Sequence, residues 1–421
     1  MTSLSNTWNY KNTQGQWQQN SLEQNQYTYD NAGQRLTNQI TSTGTSRTEQ
    51  YSYDELKRLK TVDYGDGQTQ SYSFDAMDNR LSKQDSITGT ENYSYNAASM
   101  LLTRGIVSYM NDSNGNTLTG GGRTNTWNSQ NRLVQCVNSA NTSSFVYGSD
   151  GIRRQSTVNG ITTDVVLDNT MFVRERNHAT GTNLATYLVG VRGPEYRRDD
   201  TTGQVRWYLY DGLGSVLGEV DPNGSITSSR KYDVYGLVRG GTYPGGTSSH
   251  KFVGQLGHPS EDNNGMIYMR ARYYDPTLGR FISQDSAGNG VNWFVYCENN
   301  PVNYLDDNGK NGNPILKGLL AALGAPFAMD LIGIILMGLG SKLDNPWLMI
   351  AGAIILIIGV VWTVSTLNAV ATAVGTSYKN KVKRQEDETD AVDTLKEMGG
   401  SYAVAGWMVE IEFGLIEIDL E

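Results

Sequence analysis

A chain of 421 residues with 47 glycines, 25 tyrosines, 9 prolines and only 18% charged residues has room for two or three domains, or for one repeat array with a tail. Its net charge of −9 excludes a general nucleic-acid binder, which needs a basic face. Two lone cysteines, Cys136 and Cys297, exclude a disulfide framework and a zinc site and read as buried small side chains. Only Tyr378 and Tyr402 among the tyrosines lie after residue 310. Aromatic-rich sequence of this kind is not disordered, and its glycines and asparagines supply the positive-φ positions of tight turns. The start, Met1 to Tyr10, has neither the basic nor the apolar region of a secretory signal peptide. Export therefore requires a specialised secretion machine or a region outside this chain.

Residues 1–204 carry a recurring unit. Tyr27-Thr-Tyr29-Asp30 through Gly33, Arg35 and Leu36 returns as Tyr51-Ser-Tyr53-Asp54 through Arg58-Leu59, and as Tyr72-Ser-Phe74-Asp75 through Arg80-Leu81. Decayed copies follow at Tyr93-Ser-Tyr95-Asn96, Trp127 to Leu133, and Phe145 to Gly151. A fixed period of this size marks stacked supersecondary units. Aromatics at alternate positions suit one face of a strand, Asp and Gly make a turn, and Arg-Leu starts the return strand. Each unit is predicted to be a β-hairpin that gains a core only by stacking on its neighbours.

From residue 205 to 310 the motifs become specific. Trp207-Tyr-Leu-Tyr210-Asp211-Gly-Leu-Gly214-Ser215 and Lys231-Tyr232-Asp233-Val-Tyr-Gly236 come first. Tyr268-Met-Arg270-Ala-Arg272-Tyr273-Tyr274-Asp275-Pro276 runs on to Gly279-Arg280-Phe281, and Asn299-Asn300-Pro301-Val302-Asn303-Tyr304 closes the segment. These residues resemble the RHS repeat-associated core, and the upstream units resemble RHS/YD repeats. That is the family of bacterial rearrangement-hotspot proteins, toxin-complex C components and teneurins. The resemblance implies a mainly β fold, a spiral of stacked antiparallel hairpins forming part of a hollow shell.

The resemblance also implies an aspartic self-protease at the end of the core, built from two Asp-Pro-x-Gly motifs and an arginine. Carried over, its parts are Asp285 (Asp285-Ser-Ala-Gly288), Asp306 (Asp306-Asp-Asn-Gly309) and Arg272, with cleavage near Lys310. Two neighbouring carboxylates share a proton, so one acts as acid and the other as base toward water, and Arg272 orients one of them. Both motifs depart from the family pattern. Ser286 and Asp307 replace proline, Asp307 adds a third carboxylate, and Lys310 replaces leucine at the cut. The competing reading is a structural plug whose aspartates only cap turns.

Residues 311–421 change character. Two apolar segments, about 316–340 and 347–370, are predicted transmembrane helices, long enough to span a bilayer core of about 30 Å. The first contains Asp330 and Pro326; no charged residue lies between Asn345 and Tyr378. Basic residues flank the pair at Lys310, Lys317, Lys379, Lys381, Lys383 and Arg384, which favours both ends on the cytoplasmic side. Past an acidic short helix, Val409 to Phe413 and Ile416 to Leu420 alternate like strands, giving a short α/β end. The tail has no His or Cys, and no cofactor or metal is expected. Glu410, Glu412, Glu417 and Asp419 read as a solvated strand face. The expected function is a β-shell carrier that releases a membrane-inserting, pore-forming effector. The expected partners are a target-cell membrane, a cognate immunity protein and secretion machinery, with no nucleic acid. The alternative is a non-enzymatic carrier whose hydrophobic hairpin only anchors or translocates an acidic binding module. An enzymatic toxin using the terminal carboxylates and a soluble, buried helical core are the remaining readings.

Overall fold

Each Tyr-x-Tyr-Asp unit folds as its side chains direct. In the strand Trp17–Tyr29 the alternating Tyr27 and Tyr29 share one face, Tyr27 buried and Tyr29 half-buried. Asp30 then closes the turn, its Oδ1 accepting from the N–H groups of Ala32 and Gln34, both at 2.8 Å. Its carbonyl accepts from Gly33, whose φ of +77° suits a residue without Cβ. The same Oδ1 geometry, accepting two and four residues ahead, recurs at Asp54, Asp75, Asn96, Asp211 and Asp233. The second aromatic of the unit links hairpin to hairpin. Tyr53 donates its hydroxyl to the carbonyl of Arg35 at 2.6 Å, Tyr95 to Arg80 at 2.9 Å, and Tyr147 to Leu133 at 2.6 Å. Each such bond contributes about 0.5–1.5 kcal/mol.

The computed structural model describes residues 3–11, 16–42, 45–190, 193–242, 249–288, 290–310 and 312–313. The two apolar segments at about 316–340 and 347–370, and the acidic end beyond them, lie outside the described residues. Among the described residues no helix is long and apolar enough to cross a membrane. The described chain is mainly β, and its strands pair antiparallel with their sequence neighbours. A ten-stranded sheet runs from Ser3–Lys11 to Val107–Ser108, and a fourteen-stranded sheet from Met110–Asn111 to Val238–Thr242. A four-stranded sheet follows (Ser260–Glu261, Met266–Met269, Arg272–Asp275, Arg280–Phe281), then the pair Leu305–Asp306 and Gly312–Asn313.

The Arg-Leu pairs do not occupy equivalent places. The inward position is the fifth after the capping residue, and it is filled by Arg35, Leu59, Arg80, Leu101, Leu133 and Arg153, all buried. Leu36 and Leu81 therefore point outward and are exposed, whereas Leu59 is fully buried. The turns are alike, but Leu59 stands five residues after Asp54 and Leu36 six after Asp30, and a shift of one residue moves a side chain to the other face. The buried arginines lie over aromatic rings, Arg35 over Tyr27 at 4.3 Å and Arg80 over Tyr235 at 4.0 Å.

The segment from His250 to Leu305 is packed against these turns. At three turns whose left-handed residue is not glycine, the segment takes its carbonyl. Asn300 donates to Lys57 (φ +64°) at 2.8 Å, Asn299 to Asp78 (φ +60°) at 2.9 Å, and Arg280 to Ser99 (φ +57°) at 2.7 Å. Buried ion pairs add to this contact, Arg123 with Asp275 and Arg153 with Glu261. Met266, Tyr268, Tyr273 and Ile282 join Tyr93, Leu133, Phe145 and Phe172 in one apolar cluster. Array and core segment thus share their hydrophobic interior and lie within one compact unit, Met1–Asn313. Cys136 and Cys297 are both buried.

Candidate functional site

Arg272 opens the strand Arg272–Asp275, paired opposite Met269 across a two-residue loop. Its guanidinium lies over the Phe281 ring at 3.6 Å and is buried. Nη1 donates to the carbonyl of Trp293 at 2.8 Å, Nε donates to the carbonyl of Gly309, and Nη2 stands 3.6 Å from Asp306 Oδ2. Burial pulls the Arg272 pKa down to about 10, against the opposing pull of Asp285 and then Asp306. Asp306 faces this buried guanidinium, and Asp285 adds to the negative charge around it.

Asp285 is held from two sides. Its Oδ1 accepts from the Ala287 N–H at 2.9 Å, and its carbonyl from Gly288 at 3.1 Å, closing the Asp285-Ser-Ala-Gly288 turn. Its own N–H donates to the Trp293 carbonyl at 3.0 Å, the acceptor that Arg272 also uses. One backbone oxygen thus ties the first aspartate to the arginine. The side chain of Asp285 is buried.

Asp306 sits at the mouth of the hairpin formed by Leu305–Asp306 and Gly312–Asn313. Its Oδ1 accepts from the N–H groups of Asn308 (3.3 Å), Gly309 (2.8 Å) and Lys310 (3.1 Å). These donors and the facing guanidinium complement a negative charge. Gly309 has φ +74°, and a Cβ there would stand 2.1 Å from the Met269 carbonyl oxygen. Glycine is therefore required both by conformation and by space.

The structure brings together Arg272, Asp285 and Asp306 and adds groups that sequence reasoning missed. Three consecutive carbonyls of the hairpin loop are held by three consecutive residues. Asp307 accepts from Arg270 Nη1, Asn308 from the Ala271 N–H at 3.2 Å, and Gly309 from Arg272 Nε. His258 Nε2 also reaches the Asp307 carbonyl, at 3.2 Å. The available signal was Arg270-Ala-Arg272, two arginines flanking a single residue, but carbonyl acceptors leave no trace in a sequence. The third carboxylate, Asp307, is the strongest charge drawing on Arg270. Chemically, this is a peptide loop with its carbonyls bound to cationic and N–H donors, a carboxylate folded over its amides and a second aspartate joined to the arginine through the shared Trp293 carbonyl.

Residues 2–302 match the family described as Teneurin YD-shell. The tRNA nuclease WapA of Bacillus subtilis is 28% identical over 213 residues, 48% of this chain and 9% of that protein. The toxin subunit YenC2 of Yersinia entomophaga is 37% identical over 114 residues, 25% of this chain and 11% of that protein. The fold is similar to that in the Photorhabdus luminescens Tc holotoxin pore, with a TM-score of 0.58 at 19% identity over 70% of this chain and 17% of that one. The crystal structure of TcdB2-TccC3-Cdc42 gives 0.56 at 21% over 72% and 17%. The shared stretch is a small part of each relative. With the family match running through most of its length and the Tyr-Asp turns built as described, this chain belongs to the teneurin YD-shell family of RHS/YD-repeat proteins, related to WapA, the YenC subunits and the TccC toxin components.

Proposed function

We propose that this chain is the carrier and cargo of an RHS-type polymorphic toxin. In this reading residues 1–204 form a spiral of hairpins that makes part of a shell. Residues 205–310 form the core, and the core cuts the chain once near Lys310 to release residues 311–421. The observation that carries the reading is Arg272, whose Nε holds the Gly309 carbonyl, whose Nη2 faces Asp306 at 3.6 Å and whose Nη1 shares the Trp293 carbonyl with the N–H of Asp285. In the cleavage step one carboxylate takes a proton from water as the water oxygen attacks a carbonyl carbon of the loop. The C–N bond breaks, and the other carboxylate gives its proton to the leaving nitrogen. A new carboxyl and a new amino terminus result, and the shared proton returns to the pair. Arg272 polarises the carbonyl beside the cut, an electrostatic contribution typical of acyl transfer. The reaction is a single turnover on the chain itself.

Expression of the full chain followed by gel separation and intact-mass measurement tests this. The expected result is a released piece of 111 residues (421 − 310) beginning near residue 311, absent in Asp285→Asn. A wild-type chain that stays whole sinks the self-protease.

For the released piece, the paired apolar segments at about 316–340 and 347–370 support insertion into a target-cell membrane as a pore. Leakage of dye from liposomes on adding the cleaved protein is the expected result, and intact liposomes argue against it. The toxin-related members of the family suggest export from a bacterial cytoplasm by a specialised secretion system, with a cognate immunity protein as the cargo's partner. One observation favours a second reading. Asp285 and Asp306 cap their turns through Oδ1, as Asp30 and Asp233 do in the array. On that reading the carrier is not an enzyme, and the hydrophobic hairpin only anchors or translocates an acidic binding module.

A further inference from the structure

The loop at the cut has a sister turn in the same chain. Asp221-Pro-Asn-Gly224 and Asp306-Asp-Asn-Gly309 share three of four residues. They also share geometry. Asp221 Oδ1 accepts from the N–H groups of Asn223 and Ser225, both at 2.9 Å, as Asp306 Oδ1 accepts from Asn308 and Lys310. Gly224 and Gly309 are both left-handed, at +81° and +74°. The difference is the second residue. Pro222 has a ring that locks φ near −65°; Asp307 has none.

At Asp307 two side chains converge instead. Arg270 Nη1 donates to its carbonyl, and His258 Nε2 lies 3.2 Å from the same oxygen. Arg270 is held in turn. Arg270 Nη2 donates to the Leu256 carbonyl at 2.7 Å, its Nε reaches the Thr170 carbonyl at 3.4 Å, and its Nη1 lies 3.2 Å from His258 Nε2. The Arg270 backbone is itself left-handed, at φ +59°, an uncommon state for a bulky residue that the surrounding contacts must maintain. His258 is fully buried. A long cation fixed by carbonyls from three segments has the geometry of a positioning device.

We propose that Arg270 and His258 form a clamp on the Asp307 carbonyl that sets the shape of the 306–310 loop for self-cleavage. The clamp does by hydrogen bonds what the proline ring does covalently in the sister turn. Arg270 and His258 are positioning residues, acting on a peptide unit upstream of the cut in the same loop and leaving the chemistry to Arg272, Asp285 and Asp306. The inference rests on the self-protease reading above.

The inference predicts a rescue. A proline is compatible with position 307. The donors to Asp306 Oδ1 are residues 308, 309 and 310, so the N–H of Asp307 is not one of them. Asp306 is in a strand, the conformation favoured before proline. The test follows the rate at which the full chain cleaves, by gel and intact mass, in wild type, Arg270→Gln, Asp307→Pro and the double variant. Arg270→Gln is expected to slow cleavage roughly 10- to 100-fold, the scale of a misplaced reacting group. Asp307→Pro alone should cleave at least as fast as wild type, and the double variant should recover the wild-type rate. Equal rates in Arg270→Gln and wild type overturn the clamp while leaving the protease standing. A wild-type chain that never cleaves overturns both. A double variant as slow as Arg270→Gln also overturns the clamp. Rescue by Asp307→Asn as complete as by Asp307→Pro overturns the role of the ring, since it would trace the defect to the Asp307 charge. If Arg270→Gln yields no soluble chain, His258→Gln replaces it. That variant should slow cleavage in the wild-type background and have no effect in Asp307→Pro, and an equal effect in both backgrounds overturns the proposal.

Discussion

The Arg272 guanidinium stands 3.6 Å from the Asp306 carboxylate, and both are buried. An ion pair removed from water needs further hydrogen bonds to persist, and this pair has them. Asp306 takes three backbone N–H groups, and Arg272 gives to two carbonyls while stacking on Phe281. The pair therefore fixes the hairpin loop to the strand behind it, and it does so beside the peptide bonds of Lys310.

Asparagine at either aspartate separates the two roles of the site. Its Oδ1 still accepts from the turn amides, so the caps at 285 and 306 remain, but it cannot exchange a proton with water. Asp285→Asn and Asp306→Asn are expected to abolish the released fragment, with the thermal midpoint of Asp285→Asn near that of wild type. Cleavage at an unchanged rate in both variants, read on gels, would leave only turn capping.

Gly309 and Gly288 occupy corresponding places in the two motifs but differ in surroundings. A Cβ at Gly309 meets the Met269 carbonyl oxygen at 2.1 Å and the Arg272 nitrogen at 3.1 Å, while at Gly288 nothing lies within 4 Å. Gly288→Ala is expected to cost only the left-handed term, about 1–2 kcal/mol. Gly309→Ala should cost more and should also slow cleavage, because the loop must move off Arg272. Unfolding in urea and the cleavage time course measure the two effects, and equal behaviour of the two variants contradicts the packing described.

Arg153 and Glu261 join the array to the core segment at 2.5 Å, both buried. Arg153 also lies over Tyr268 at 4.7 Å and over Phe145 at 5.3 Å. Arg153→Met leaves a buried carboxylate without its cation and is expected to destabilise by roughly 3–5 kcal/mol. Adding Glu261→Gln should recover part of that loss. Chemical denaturation of the two single variants and the double variant gives the coupling, and strictly additive effects would mean the pair does not interact.

Acid should weaken the fold through two histidines. Burial pushes the His250 pKa down to about 3 and holds His258 well below the usual imidazole range. Both stay neutral when folded and take up a proton when unfolded below pH 6.5, so unfolding is favoured as pH falls. Their contribution is complete above pH 6.5 and is lost progressively as pH falls, for His250 toward about 3. It amounts to about 1.4 kcal/mol for every pH unit between the two pKa values of a group. The denaturant midpoint at pH 5 is expected below that at pH 7.5, and His250→Phe should flatten the difference. A midpoint that does not change with pH contradicts the burial of His250.

Much of the array was legible from the amino acids. Tyr27, Tyr51, Tyr72 and Tyr93 mark the inward face because side chains alternate along a strand, and Asp30 and Asp54 mark turns because a short carboxylate reaches nearby amides. The Arg-Leu pairs do start the return strands, but they do not tell which member faces inward. Arg58-Leu59 looks aligned with Arg35-Leu36, yet Leu59 points inward and Leu36 outward, because register is counted from the turn and not from the pair. At the site, Arg272, Asp285 and Asp306 stood out by family resemblance. Arg270, His258 and the Trp293 carbonyl did not, since hydrogen bonds to backbone oxygens place no demand on which residue supplies the oxygen.

By itself the sequence determined a β-hairpin array with a distinct apolar tail and named three residues for a site, because period, turn chemistry and motif are local properties of the chain. Only the tertiary structure decided that those three residues share one buried neighbourhood, which of the Arg-Leu side chains face the interior, and that the 306–310 loop is held through its carbonyls. Those outcomes depend on contacts between segments distant in sequence, such as Arg272 with Gly309 and Asn300 with Lys57. Such contacts form only when the core segment closes against the turns of the array.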